Sequence, residues 1–183
     1  SLSGQAIGEG ILLILGHDGF RTLTVSEDAS QITLGTAVIG ADANAVLKPL
    51  NKKIGPDPAT LASAKIGGIV SNNASGMCCG TAQNSYQTIA SAKLLFADGT
   101  ELDTGCEASK AAFSQSHPQL LQELTELAQL TINNSTLAAR IRKKFSIKNT
   151  TGYSLNALVD FSDPFELINH LIVGAEGTLA FVE

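Results

Sequence analysis

The sequence predicts an α+β fold, and three observations carry that expectation. Short β-rich runs separated by Gly- and Asp-containing turns occupy much of the first 104 residues. A leucine pattern at three- and four-residue spacing then fills the region from Ser109 to Lys144. The strands and helices mix irregularly, without the regular β–α alternation of a parallel α/β sheet.

The elements follow in order. Ile11 to Leu15 (ILLIL) reads as a buried strand and is far too short to span a bilayer. Arg21 to Ser26 alternates. Gln31 to Val38 is β-rich, with Gly35 marking a bulge or a close backbone approach. Asp42 to Leu47 has helical character and ends near Pro49. Ser91 to Phe96 is a strand, and Asp98-Gly99 turns it back into Glu101 to Thr104. Leu120, Leu121, Leu124, Leu127 and Leu130 form the stripe of a helix whose first turn holds Pro118. A second helix, at about Ser135 to Lys144, carries Arg140, Arg142, Lys143 and Lys144, a run that reads as a solvated face or a docking surface. Asp163 is the expected N-cap of a short helix to about Leu171. The Gly174–Thr178 turn precedes a final strand.

Composition narrows the class. The 183 residues suit one domain, or one and a part. Trp is absent and aromatics are scarce, so the core must be aliphatic. A net charge of −5 offers no reason to expect nucleic acid as a partner. Cys78, Cys79 and Cys106 match no zinc spacing and no C-x-x-C, which points to free thiols and a reducing compartment. No metal site is expected. His17, His117 and His170 stand in unrelated contexts, so no catalytic histidine is assigned.

The chemistry concentrates between Pro56 and Asn84. Residues Ile66 to Thr81 (IGGIVSNNASGMCCGT) hold four glycines, two asparagines, two serines and no charge. Glycine lets backbone N–H groups approach a ligand closely, and successive amides form an anion site without Lys or Arg. Asn and Ser add donors and acceptors. This fits a diphosphate plus a flat polar ring. Neither a G-K-[ST] P-loop nor a G-x-G-x-x-G fingerprint is present. The residues alone leave a ligand loop and a structural glycine loop both open. Glu176, between glycines, is read either as an acceptor near a ligand or as a turn cap.

Four segments, in this order, resemble a known family: SLSGQA at 1–6, PDPATLASAKIGGIVSNNASGMCCGTAQNSY at 56–86, KNTTGYSLNALVDF at 148–161 and GAEGTLAFV at 174–182. The chain is similar to flavoenzymes with the vanillyl-alcohol-oxidase (PCMH) type of FAD domain. Within them it looks closest to the large bacterial FAD and iron–sulphur D-2-hydroxy-acid dehydrogenases, which oxidise D-lactate or D-2-hydroxyglutarate. The resemblance implies the second subdomain of a PCMH-type FAD-binding domain, with a mixed, largely antiparallel sheet flanked by helices. Residues 1–183 would form a partial domain, with the N-terminal lobe, the substrate domain and the iron–sulphur domain outside it.

The resemblance also implies roles. Ser1, Ser3, Gly4 and Gln5 would close over the FAD diphosphate. Pro56, Asp57 and Pro58 would lie beside the flavin ring. Gly67, Gly68, Asn72, Asn73, Ser75 and Gly76 would follow the diphosphate and ribityl chain, and Gly80, Thr81 and Asn84 would continue that wall. Glu176, Gly177, Thr178 and Leu179 would approach the cofactor from the last strand, and KNTTGY would lie toward the active-site side. Ala180 stands where many relatives have glycine.

The expected cofactor is FAD, with an iron–sulphur cluster outside this chain. The expected partners are FAD, a small 2-hydroxy acid and the missing lobes of the same polypeptide. The catalytic base is expected outside the chain, so the isolated fragment should be inactive and bind FAD weakly or not at all. The expected location is cytoplasmic, or peripheral to the inner membrane through the electron acceptor. A related flavin oxidase or reductase, and a cofactor-free scaffold on the same fold, are the alternatives.

Overall fold

The computed structural model of the chain describes residues 14–15, 19–150 and 152–183. Strands β1 (Leu23–Val25) and β2 (Ile32–Leu34) pair antiparallel, with Thr24 opposite Thr33. Gly35 closes this unit against the preceding chain. Its N–H donates to the Thr22 carbonyl at 2.7 Å, and a Cβ there would lie 2.4 Å from the Phe20 carbonyl oxygen. The close approach expected from Gly35 is therefore present, and only glycine fits it.

Helix α1 (Gly40–Leu47) follows, with Pro49 in the 3-10 turn that ends it. Val38, Ala43, Leu47 and Ile54 form a small core beneath β1 and β2. Helix α2 (Ile66–Ser71) begins at an isolated bridge between Ile39 and Lys65. It lies within the glycine-rich stretch. The next, α3 (Ser85–Thr88), is capped by the Asn84 side chain, which accepts the Gln87 N–H at 3.0 Å.

Strands β3 (Lys93–Leu95) and β4 (Glu101–Asp103) form the hairpin expected at Asp98-Gly99, with Gly99 at φ +86°. Strand β5 (Phe181–Val182) joins antiparallel on the other edge of β3. The described strands thus form two small antiparallel sheets, and with the helices they make an α+β fold.

Helices α4 (Glu107–Ser116), α5 (Pro118–Asn133) and α6 (Ser135–Phe145) occupy the helical region, with Pro118 at the first position of α5. Of the leucine stripe, Leu121 is buried and Leu120 and Leu124 pack on the core, whereas Leu127 and Leu130 are exposed. The buried face shifts to Ala128 and Thr131, because close packing favours the smaller side chains there. Helix α8 (Pro164–Leu171) has the expected cap. The Asp163 carboxylate accepts the Phe165 and Glu166 N–H groups at 2.9 and 3.0 Å. A four-residue helix, α7 (Ala157–Asp160), has no advance signal.

The main core gathers Leu94, Leu102, Phe113, Leu167 and Val173, mainly aliphatic as the composition demands. Full burial of such side chains contributes about 1.5–3 kcal/mol each. His117 belongs to this framework. It stacks on Phe113, and its Nε2 bonds Asp98 at 2.8 Å, tying the hairpin to the α4–α5 junction.

The expected strand at ILLIL lies mostly outside the described residues. Ile14 and Leu15 are in no strand, and Ile14 is 76% exposed. Among the described residues no helix is long and apolar enough to cross a membrane, and no cluster of His, Cys, Asp or Glu could hold a metal ion. The three cysteines are free thiols, with Cys79 buried.

Candidate FAD site

Helix α2 organises the glycine-rich stretch. At its start, the Ile66 and Gly67 N–H groups donate to the Val38 and Thr36 carbonyls, which fixes the helix on the strand-bearing lobe. A Cβ on Gly67 would lie 2.9 Å from Thr36 Cβ, so the approach needs glycine. At its end, the Gly174 and Glu176 N–H groups donate to the Val70 and Ser71 carbonyls at 3.1 and 2.9 Å. The Asn72 Nδ2 donates to Glu176 Oε1 at 2.5 Å. Glu176 sits at φ +52°, in the left-handed region, where a non-glycine residue is strained unless its surroundings hold it. The GAEGT turn is therefore stitched to α2 across about a hundred residues by three hydrogen bonds.

Two clefts open beside α2: the first runs along it from Gly67 to Ser71, and the second lies past its C-terminal end at Asn73. The first, of about 550 Å³, is lined by Gly67, Gly68 and Ser71 from α2, by Thr36, Ser63 and Lys65, and by Gly177, Ala180, Phe181 and Val182 from the last strand region, with Ile14 and Leu15. It has an apolar wall and a polar wall, with one cation, Lys65. The second, of about 310 Å³, is lined by Asn73, Thr81, Ala82, Asn84, Tyr86 and Gln87, with Phe145, Ile147, Asn149 and Asn156 opposite. Among the described residues, no carboxylate lines either cleft.

The structure thus sorts the expected site residues that it describes into three groups. Gly67, Gly68 and Gly177 meet in the first cleft. Asn73, Thr81 and Asn84 meet in the second. The rest build the frame. Asp57, between buried Pro56 and Pro58, accepts the N–H groups of Gly76, Cys78 and Cys79 at 3.0, 3.2 and 3.1 Å. Hydrogen bonding from Cys79, then from Cys78, holds the Asp57 carboxyl down at about 2, against the opposing pull of burial. The Gly76 N–H is taken by this contact. The Ser75 carbonyl accepts from Lys148 Nζ at 2.6 Å. The Tyr153 hydroxyl donates to Thr178 Oγ1 at 2.9 Å, and Thr178 in turn donates to the Ala175 carbonyl at 2.6 Å. Gly80 turns the loop at φ +53°, and Leu179 is exposed. Ser1, Ser3, Gly4 and Gln5 lie outside the described residues.

Several lining residues were absent from the sequence expectation: Thr36, Lys65, Tyr86 and Asn156. The Tyr86 hydroxyl donates to Asp160 Oδ2 at 2.8 Å, and the Asn156 Nδ2 reaches the same oxygen at 3.3 Å. Burial first, and then the Asp160 contact, push the Tyr86 phenol far above its usual range, so it stays a neutral donor. The signal that could have found Asn156 was its place in KNTTGYSLNALVDF, whose residues from Asn149 to Val159 form a second uncharged run containing Asn and Thr.

The donor set fits a flavin dinucleotide. Four buried side-chain atoms lack a hydrogen-bond partner among the described residues: Thr36 Oγ1 and Asn156 Oδ1, on residues that line the first and second clefts, and Ser85 Oγ and Asn169 Nδ2, on residues that line neither. Such orphans are uncommon in a closed protein interior.

Comparison with known proteins agrees with this geometry. The family model described as FAD binding domain matches residues 1–105, and the chain belongs to that family. Along 98% of its length the chain is also similar to D-2-hydroxyglutarate dehydrogenases. It is 25% identical to that of Pantoea ananatis (strain AJ13355), 24% to that of Escherichia coli (strain K12) and 26% to that of Pseudomonas putida (strain KT2440). It spans 18% of the length of each of these relatives. No solved structure matches it significantly.

Proposed function

We propose that this chain holds FAD along α2, as part of a flavoprotein that oxidises a D-2-hydroxy acid to the 2-oxo acid. One observation carries the reading. Six of the residues that the resemblance assigns to the cofactor line two clefts beside one short helix, Gly67, Gly68 and Gly177 the first and Asn73, Thr81 and Asn84 the second. Gly67, Gly68 and Lys65 would face the diphosphate end, where bare backbone and one cation suit an anion. Asn73, Thr81 and Asn84 would face the ring. Asp57, Gly76, Asn72 and Glu176 would hold the loops that follow α2 in place.

When bound, FAD supplies a two-electron acceptor for the hydride that leaves C2 of the acid as its hydroxyl proton departs to a base. The residues of this chain bind and orient, and the base is expected elsewhere in the whole protein. The names of the relatives support D-2-hydroxyglutarate as the first acid to try, with D-lactate second. A cofactor-free scaffold would fill the groove at 66–81, and the open clefts favour a ligand instead.

The test is FAD binding by flavin fluorescence, on this chain and on the full-length protein that carries it, followed by reduction with each acid. The full-length protein should bind FAD, and Gly68→Asp should abolish binding by placing a carboxylate beside the diphosphate. Binding unaffected by Gly68→Asp would sink the placement along α2.

A further inference from the structure

The corner between α5 and α6 exposes apolar side chains in a stretch that carries no charge. From Leu127 to Ala139 the chain holds neither an acid nor a base. Helix α5 ends at Asn133, Asn134 makes the turn, and α6 packs back on α5. Leu130, Ile132 and Leu137 lie within four residues of Asn134, and all three are exposed, Leu130 by 69%. Much of the polar inventory of the corner is satisfied internally. Asn134 Oδ1 accepts the Leu137 N–H at 3.0 Å, and Asn133 Oδ1 accepts from Gln129 Nε2 at 3.0 Å. The Thr131 hydroxyl donates to the Leu127 carbonyl at 2.7 Å. These groups lose little when water leaves them.

A basic collar follows the apolar corner. Arg140, Arg142, Lys143 and Lys144 are exposed on α6, and none pairs with a carboxylate among the described residues. The carboxylates on the helices packed against α6 have other partners: Glu123 and Glu126 take Gln119 and Gln122, and Asp160 takes Tyr86. A helix C-terminus favours cations in its last turn, but that gives no reason for the uncovered leucines. At ~1.5 Å per residue, Leu137 stands about 5 Å along α6 from the turn, and the four cations about 9 to 15 Å. An anionic bilayer has the same layers: its phosphates lie outside its acyl chains, and an apolar surface enters ~5–10 Å. An acidic protein would match the collar alone. We propose that the α5–α6 corner docks on a membrane of anionic phospholipid, with Leu130, Ile132 and Leu137 at the acyl boundary and the four cations among the phosphates. The chain as a whole carries −5, so such a surface repels its acidic faces and selects this one. The docking needs no cofactor and is independent of the FAD reading above.

The test is sedimentation of the full-length protein with vesicles of phosphatidylglycerol and phosphatidylcholine, and with vesicles of phosphatidylcholine alone. The protein should bind the anionic vesicles about tenfold or more tightly, and salt at about 1 M should remove most of that gain. Arg142→Gln combined with Lys143→Gln should weaken binding about 25-fold, from about fivefold for each cation near the surface. Leu130→Gln should weaken it about tenfold, because an entering leucine is lost. Unchanged thermal melts show that these variants fold, and the comparison of the two vesicles needs no variant. Equal binding to both vesicles, or binding to neither, overturns the proposal. Loss in the double variant without loss in Leu130→Gln overturns the apolar corner as part of the surface. Saturable binding to polyglutamate without binding to vesicles overturns the membrane in favour of an acidic protein partner.

Discussion

Asp57 and Gly76 touch so closely that each defines the other. The Asp57 carboxylate accepts the Gly76 N–H at 3.0 Å, and a Cβ on Gly76 would lie 1.9 Å from the Asp57 carbonyl oxygen. Gly76→Ala must therefore push backbone against backbone. We expect a loss of about 1–3 kcal/mol, the usual range for overpacking. Urea denaturation of the two proteins measures it, and an unchanged midpoint would show that the loop yields without strain.

The Asp57 carboxyl also makes stability depend on pH. Its folded value is about 2, below the ordinary 3.8, so the unfolded state binds the proton more readily. Its contribution is fully present above about pH 4 and is lost as pH falls through the folded value near 2. Asp57→Asn should flatten that part of the profile and lower Tm at neutral pH, since an amide serves three N–H donors less well than a carboxylate. Thermal melts of both proteins from pH 2 to 7 check this. Parallel curves would count against the assignment.

Glu176 combines a strained backbone with a useful side chain. Glu176→Ala removes the bond to Asn72 and keeps the left-handed backbone, whereas Glu176→Gly removes the bond and relieves the backbone. Glycine should be the more stable of the two variants by about 1 kcal/mol. Both should weaken FAD binding, because the turn that carries Gly177 loses a tie to α2. Chemical denaturation ranks the variants. Alanine equal to or better than glycine would mean that φ +52° carries no cost here.

Much of the fold was legible because its signals are local. Asp163 caps the N–H groups two and three residues ahead, Asp98-Gly99 makes its own hairpin, and Gly35 marks a close approach. The exposed Leu127 and Leu130 were not legible, since spacing gives the helix and only packing decides where its buried face ends. Helix α7 was missed for a related reason: four residues hold no period, and the helix exists because Ala157 and Leu158 pack into the main core.

The site was half legible. Its glycines and asparagines stood out as an uncharged run, but their division into two clefts did not. Asp57 was placed beside the ring by resemblance, and the structure shows it binding three amides between 19 and 22 residues away. Asn156 was hidden because its meaning depends on Asp160 and Tyr86, which meet only in the folded chain.

The brevity of α2 makes it a gauge block. Each residue adds ~1.5 Å and turns the chain by about 100°. One inserted residue would keep Gly67 and Gly68 where β2 and its following turn hold them, yet swing Asn72 and Asn73 away from Glu176 and Tyr86. One deleted residue would do the same in the opposite sense. A conservative substitution in this helix, such as Val70→Ile, should be tolerated more readily than any change in its length. Genetic variation here should therefore run through letters of the sequence and leave their number alone.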